Sequence, residues 1–164
     1  MNGLEELARQ AHNQIRELIL QIRLVTIEKE GLGAALKDYL KNVAEREDWS
    51  VKDHIELSVR PGDQVGENLF RMAQEALNNI SKHAAAKNVE VKLIQDKDNI
   101  RLSISDDGVG FDLNSPIKPT ALGLSGIHER AAAIGGRVVV NSSPGRGTEL
   151  TVLVSLKSEG SVYK

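Results

Sequence analysis

The apolar residues of this chain change period partway along, and that change limits the folds open to it. Leu4, Ala8, Ala11, Ile15, Leu18, Ile22 and Val25 fall at alternating gaps of four and three, the heptad spacing of a helix that packs along a seam with other helices. Val89, Val91 and Leu93, then Ile100, Leu102 and Ile104, instead alternate with polar residues, as strands with one buried face do. A chain with both signatures needs a helical appendage on a domain that contains a sheet, and 164 residues suffice for both.

Leu7 and Ile19 broaden the first stripe, which favours a bundle, such as a dimeric four-helix bundle, over a helix folded back on its own domain. Gly31-Leu32-Gly33 interrupts the periodicity, and helix resumes from Ala34 to Ala44 with Leu36, Tyr39, Leu40 and Val43 on one side. Trp49 to His54 reads as a connection into a short strand, Ile55 to Val59, stopped by Pro61-Gly62. A long helix follows from Gln64 to His83, then a hairpin of two strands turning at Asp98-Asn99. Leu122 to Ile134 predicts a helix ended by Gly135-Gly136, and Val138–Val140 and Leu150–Val154 predict two more strands around the turn-rich Ser142 to Gly147. The expected fold class is α/β, a two-layer sandwich of a mixed sheet with helices on one face, without regularly alternating βαβ units. The expected units are a bundle helix over 1–30, a globular domain over 31–157 and a frayed tail over 158–164.

Composition removes several function classes. A net charge of −2 and 3% aromatic residues offer neither a basic field nor stacking platforms, so nucleic acid is not an expected partner. Zero cysteines exclude disulfides and thiolate metal sites, and fit a reducing compartment. No apolar run approaches the ~20 residues that cross a bilayer, and the first residues lack the layout of a secretion signal, so the expected location is cytoplasmic. The glycine patterns of P-loop and Rossmann nucleotide sites are absent from the sequence.

Chemistry concentrates in four ordered stretches. On the long helix, Val65, Leu69, Ala73, Ala76, Leu77 and Ile80 make the apolar stripe, and Glu67, Gln74, Asn78 and Ser81 point away from it. Glu75, Asn79, Lys82 and His83 lie at the border, either as ordinary polar residues of a helix margin or as groups looking into a cleft. A carboxylate and an amide oxygen one turn apart suit Mg²⁺, Lys82 and His83 suit phosphate, and Glu75 could also serve as a base. Asp106 continues the inward parity of Ile100, Leu102 and Ile104, which aims its carboxylate toward the interior, where it could accept from an adenine amine while Gly108 and Gly110 allow a tight turn. The alternative is a plain Asp-Gly turn. Thr148 shares the side of Leu150, Val152 and Val154, so it either opens a strand or offers a hydroxyl to the same pocket. Gly123-Leu124-Ser125-Gly126 is either a simple glycine-rich helix start or a source of free amides for phosphate.

Read together, Gln74-Glu75-Ala76-Leu77-Asn78-Asn79 with Lys82-His83, Asp106-Asp107-Gly108-Val109-Gly110-Phe111, Gly123-Leu124-Ser125-Gly126-Ile127-His128-Glu129-Arg130 with Gly135-Gly136, and Gly145-Arg146-Gly147-Thr148 resemble the N box and glycine boxes of the GHKL ATPase superfamily. They are most similar to its sensor histidine kinases of the DesK, NarX and LiaS type. The resemblance implies a Bergerat ATP-binding fold with ATP and Mg²⁺ as cofactors and a lid over about 112–122. It implies Asn79 as a Mg²⁺ ligand, Glu75 as ligand or base, Lys82 and His83 on phosphates, Asp106 on adenine N6, and Thr148 supporting adenine through water. Gly108, Gly110, Gly123 and Gly126, with Leu124 and Ser125 between the last two, would shape the pocket and lid.

Gln14 to Leu18 through Gly31 to Leu36 resembles the second helix of the family's dimerisation and phosphotransfer bundle. The helix carrying the phosphorylated histidine is not in the sequence, since His12 precedes Asn13 rather than an acidic residue and lies too near Gly31. Leu24 also replaces the usual proline. The resemblance thus implies a truncated protein-histidine kinase, homodimeric when full length, whose partners are ATP, a phosphoacceptor helix and a response regulator. Competing readings are a nucleotide-sensing dimerisation module without catalysis, and another GHKL ATPase or an anti-sigma serine kinase; the heptad helix and short lid argue against the last two.

Overall fold

The computed structural model describes residues 2–115 and 120–156, leaving out some side chains of the first helix and those of 120–122. The expected tail and the middle of the expected lid lie outside the described residues, as do the side chains of Ile19, Ile22 and Val25 in the seam. The elements run α1 (Asn2–Glu30), α2 (Leu32–Glu47), β1 (Ser50–Glu56), α3 (Asp63–His83), β2 (Asn88–Gln95), β3 (Asn99–Asp106), α4 (Thr120–Ala133), β4 (Gly136–Ser142) and β5 (Thr148–Ser155). The sheet order is β1-β2-β3-β5-β4, with β1 parallel to β2 and every other pairing antiparallel. This is the mixed sheet that the alternation predicts, with α3 crossing between the two parallel strands.

Every inward residue of the central strands is buried: Val89, Val91, Leu93, Ile100, Leu102, Ile104, Leu150, Val152 and Val154. Their outward neighbours Glu90, Lys92, Arg101, Ser103 and Glu149 are partly or fully exposed, so one face of the sheet meets solvent and the other the helices. Fully burying side chains of this size stabilises by roughly 1.5–3 kcal/mol each, which makes a one-residue register slip prohibitive.

Two expectations change. The first strand begins at Ser50 and ends at Glu56, rather than spanning Ile55 to Val59. It is an edge strand whose Val51 and Ile55 are only partly buried, so its place is set by parallel pairing, Ser50 with Asn88 through Glu56 with Ile94, and not by an apolar period. Second, Glu67, Gln74, Asn78 and Ser81 are half-buried instead of solvent-facing, while Phe70 and Met72 are wholly buried. The cause is the position of α3 in the helical layer, where it packs against α1, α2 and α4 as well as the sheet. Phe70 meets the Tyr39 ring of α2 edge-on at 5.7 Å.

The break after α1 is narrower than three residues. Gly31 alone leaves the helix, at φ 88, and Leu32 already belongs to α2. Arg60 closes this corner by donating to the Ile27 carbonyl at 3.0 Å, which also accepts the Gly31 N–H at 3.0 Å, and to the Glu28 carbonyl. Ile27 is buried, whereas Leu4 and Leu7 are 83% and 68% exposed and Ile15 and Leu18 are also exposed.

Candidate functional site

Asp106 ends β3, Thr148 opens β5, and the antiparallel register pairs them directly. Both line a cleft of about 360 Å³ whose apolar wall includes Ala76, Ile80, Ala84, Ile104, Leu124 and Leu150. The inward parity of Asp106 thus delivers a half-buried carboxylate to the cleft. Its Oδ1 accepts the Gly108 N–H at 2.8 Å. Burial pushes the Asp106 carboxyl above the usual aspartate range; the Gly108 backbone opposes that rise, the Asp107 charge adds to it, and the Thr148 backbone also opposes it. Gly147 lets the two strand ends meet. It is buried at φ 69, and a methyl group there would run into the Asp106 carbonyl oxygen.

Asp107 faces the other way and has a different task. Its Oδ2 accepts from Asn88 Nδ2 at 2.6 Å, and its Oδ1 accepts the N–H groups of Lys87 and Asn88, each at 2.9 Å. The Asn88 side chain first, then these backbone amides, hold the Asp107 carboxyl down to about 2. With the Val109 N–H donating to the Ala84 carbonyl at 2.8 Å, they tie the turn after β3 to the end of α3. His83, in that last turn, therefore lines the same cleft as Asp106, as do Val109, Gly110 and Phe111 of the loop.

The helix side of the cleft is the border of α3. Asn79 lines it; Glu75 and Lys82 do not, and Lys82 is exposed. Glu75 and Asn79 instead meet at Gly123 of α4, where a methyl group would lie 2.7 Å from Glu75 Oε1 and 3.0 Å from Asn79 Nδ2. A side chain at 123 would crowd the two groups expected to face a metal. Among the described residues no cluster of three or more His, Cys, Asp or Glu could hold a metal by itself. A carboxylate and an amide oxygen nevertheless fit Mg²⁺, which retains water and takes further oxygens from phosphate.

Gly126 and Ser125 do not line the cleft, and the missing side chain of Gly126 faces open space. The described part of α4 opens at Thr120, so Leu124, Ser125 and Gly126 lie beyond its first turn, where backbone amides serve the helix itself. Leu124 joins the site as part of the apolar wall.

Ser142 and Asp107 have no role in the sequence reading. Ser142 Oγ accepts the Phe111 N–H at 2.9 Å, donates to the Gly147 carbonyl at 3.0 Å, and lies 3.0 Å from Thr148 Oγ1. In sequence it is one more polar residue before a Pro-Gly turn, with nothing to mark it. Asp107 carries a visible signal, adjacency to an inward-facing aspartate, but parity says only that it points away.

Residues 64–158, more than half of the chain, match the family described as histidine kinase-, DNA gyrase B-, and HSP90-like ATPase. Sensor histidine kinase LiaS of Bacillus subtilis is 34% identical over 160 residues, covering 95% of this chain and 43% of LiaS. Oxygen sensor histidine kinase NreB of Staphylococcus carnosus is 35% identical over 145 residues, covering 88% of this chain and 42% of NreB. The chain therefore spans less than half the length of these relatives. Among solved structures, the Erythrobacter litoralis EL346 blue-light activated histidine kinase shares the fold with a TM-score of 0.74 at 17% identity, over 94% of this chain and 52% of that one. A mixed five-stranded sheet under a helical layer, a carboxylate carried inward at the end of its third strand and a match across most of that domain have one common account: the chain belongs to the histidine kinase-, DNA gyrase B- and HSP90-like ATPase family.

Proposed function

We propose that the cleft binds ATP with Mg²⁺ and that the domain transfers the γ-phosphoryl group to a histidine on a bundle helix outside these 164 residues. The observation that carries this reading is one cleft with Asp106 and Thr148 on its sheet side and Asn79 and His83 on its helix side. Ionised Asp106 accepts from the exocyclic amine of adenine, Thr148 supports the base through water, and the apolar wall takes the ring faces. Asn79, with Glu75 as ligand or base, would hold the metal, which when bound neutralises phosphate charge. His83 and Lys82 meet the phosphates from the end of α3.

The acceptor imidazole nitrogen forms its bond to the γ-phosphorus as the bond from that phosphorus to the β–γ bridging oxygen breaks. ADP leaves with the electron pair, and the imidazole proton passes to Glu75 or to water. Positioning and charge neutralisation do most of this work.

The exposed Leu4, Leu7, Ile15 and Leu18 support a second role for α1, as one strip of a dimeric bundle in the longer kinase. Downstream, the phosphohistidine would serve a response-regulator aspartate, on the cytoplasmic side where ATP is available. Among the described residues no helix is long and apolar enough to cross a membrane.

Titration calorimetry tests the site. The chain is expected to bind ATP in the presence of Mg²⁺, and Asp106→Asn to lose about 10- to 100-fold in affinity, the worth of a hydrogen bond to a charged group, with folding stability unchanged or raised. Unchanged affinity would remove Asp106 from the base. Radiolabelled ATP with a peptide carrying the acceptor helix then tests transfer: label on histidine supports the kinase, and binding without label supports a nucleotide-sensing module.

A further inference from the structure

Ser142, the last residue of β4, sits behind Thr148 and settles which way that hydroxyl points. A serine hydroxyl has one hydrogen and two acceptor lone pairs. The Gly147 carbonyl can only accept, and Gly147 is buried, so the Ser142 hydrogen goes there. The Phe111 N–H can only donate, and it occupies one lone pair. Thr148 Oγ1, 3.0 Å away, is left facing the second lone pair and must be the donor in that contact. Its own lone pairs then remain for the cleft, beside the Asp106 carboxylate with which Thr148 is in register.

We propose that Ser142 is a positioning residue that holds Thr148 as a hydrogen-bond acceptor, so that the site selects a purine bearing a 6-amino group over one bearing a 6-oxo group. The inference rests on the nucleotide reading given above and deepens it. A 6-amino edge brings hydrogens toward two adjacent acceptors, directly or through water. A 6-oxo group sets its lone pairs against the acceptors that the 6-amino group would meet and leaves the edge's hydrogen on N1 instead, and a site left with unmatched polar groups disfavours such a ligand. The same hydroxyl anchors Phe111, whose residue lines the cleft, so the reader of the base and the loop at its mouth share one proton arrangement.

Removing the Ser142 oxygen frees the Thr148 hydroxyl to rotate and donate into the cleft. Affinities for adenosine and inosine triphosphates, measured by calorimetry on the wild-type chain, Ser142→Ala and Ser142→Thr, decide the matter. The wild-type chain is expected to prefer adenosine triphosphate; Ser142→Ala should shrink that preference about fivefold, and Ser142→Thr, which keeps a hydroxyl, should restore it. A loss of packing alone would weaken both nucleotides in equal proportion, and an unchanged ratio beside a wild-type preference overturns the role of Ser142 while leaving the nucleotide site intact. A wild-type chain with no preference, or no binding, overturns the reading of Asp106 and Thr148 and this inference with it.

Discussion

On the sheet side of the cleft, Asp106, Thr148 and Ser142 are held by strand register and by one hydroxyl shared among three neighbours. On the helix side, Glu75, Asn79, Lys82 and His83 stand on one border of α3, and among the described residues no hydrogen bond or ion pair restrains their side chains. The first arrangement is ordered before any ligand arrives, which suits recognition of a flat base by a fixed set of acceptors. The second leaves rotamer freedom of roughly 1.5–2 kcal/mol per long side chain to be lost on binding, which suits a metal and phosphates whose positions change during transfer. Neighbouring aspartates repeat the contrast in miniature: the carboxyl of Asp106 is raised by burial and that of Asp107 lowered by its Asn88 and backbone bonds.

The sharpest way to break this contrast is at Gly147. Gly147→Ala puts a Cβ into the Asp106 carbonyl at a left-handed φ, and is expected to cost about 3 kcal/mol in denaturant unfolding and to abolish nucleotide binding. A stable, binding-competent variant would show that the strand ends are not tightly constrained. Asn79→Ala probes the other side. It should weaken Mg²⁺-dependent nucleotide binding by about tenfold while leaving binding in chelator nearly unchanged; equal losses would mean that Asn79 serves the nucleotide and not the metal.

The aspartate pair predicts a smaller, pH-dependent effect. Because folding lowers the Asp107 carboxyl to about 2, its contribution is fully present above the ordinary value of 3.8 and is lost as pH falls through about 2. Asp107→Asn should therefore flatten the loss of stability between those values, as followed by thermal unfolding across acid pH. Asp106 has the opposite sign: its raised carboxyl lowers stability where ionised, and that loss is relieved as pH falls through the raised value. The smallest expected effect is at Gly126, a helical position with open space around it. Gly126→Ala should raise stability by about 0.5–1 kcal/mol with no more than a twofold change in nucleotide affinity, and a large loss of affinity would show that α4 must deform there.

Much of the sheet was legible because a buried face writes a two-residue period into β2, β3 and β5, and parity at strand ends carried Asp106 and Thr148 to the cleft. The bounds of the edge strand β1 were not legible, since only Val51 and Ile55 among its seven residues are partly buried and its register depends on a partner more than on its own composition. The burial of Phe70 and Met72 was missed for the converse reason: α3 is covered by other helices as well as the sheet, and a single-stripe wheel assumes one buried face.

Periodicity and turn chemistry, which are properties of adjacent residues, were enough to specify the first helix, the hairpin and the inward aspartate. Contacts between residues distant along the chain decided the remainder. Gly123 against Glu75 and Asn79, Asp107 on the amides after α3, and Ser142 between Phe111, Gly147 and Thr148 arise only when separate elements are brought within a few ångströms. Hydrogen bonds and steric exclusion act at that range, and spacing along a chain does not encode it.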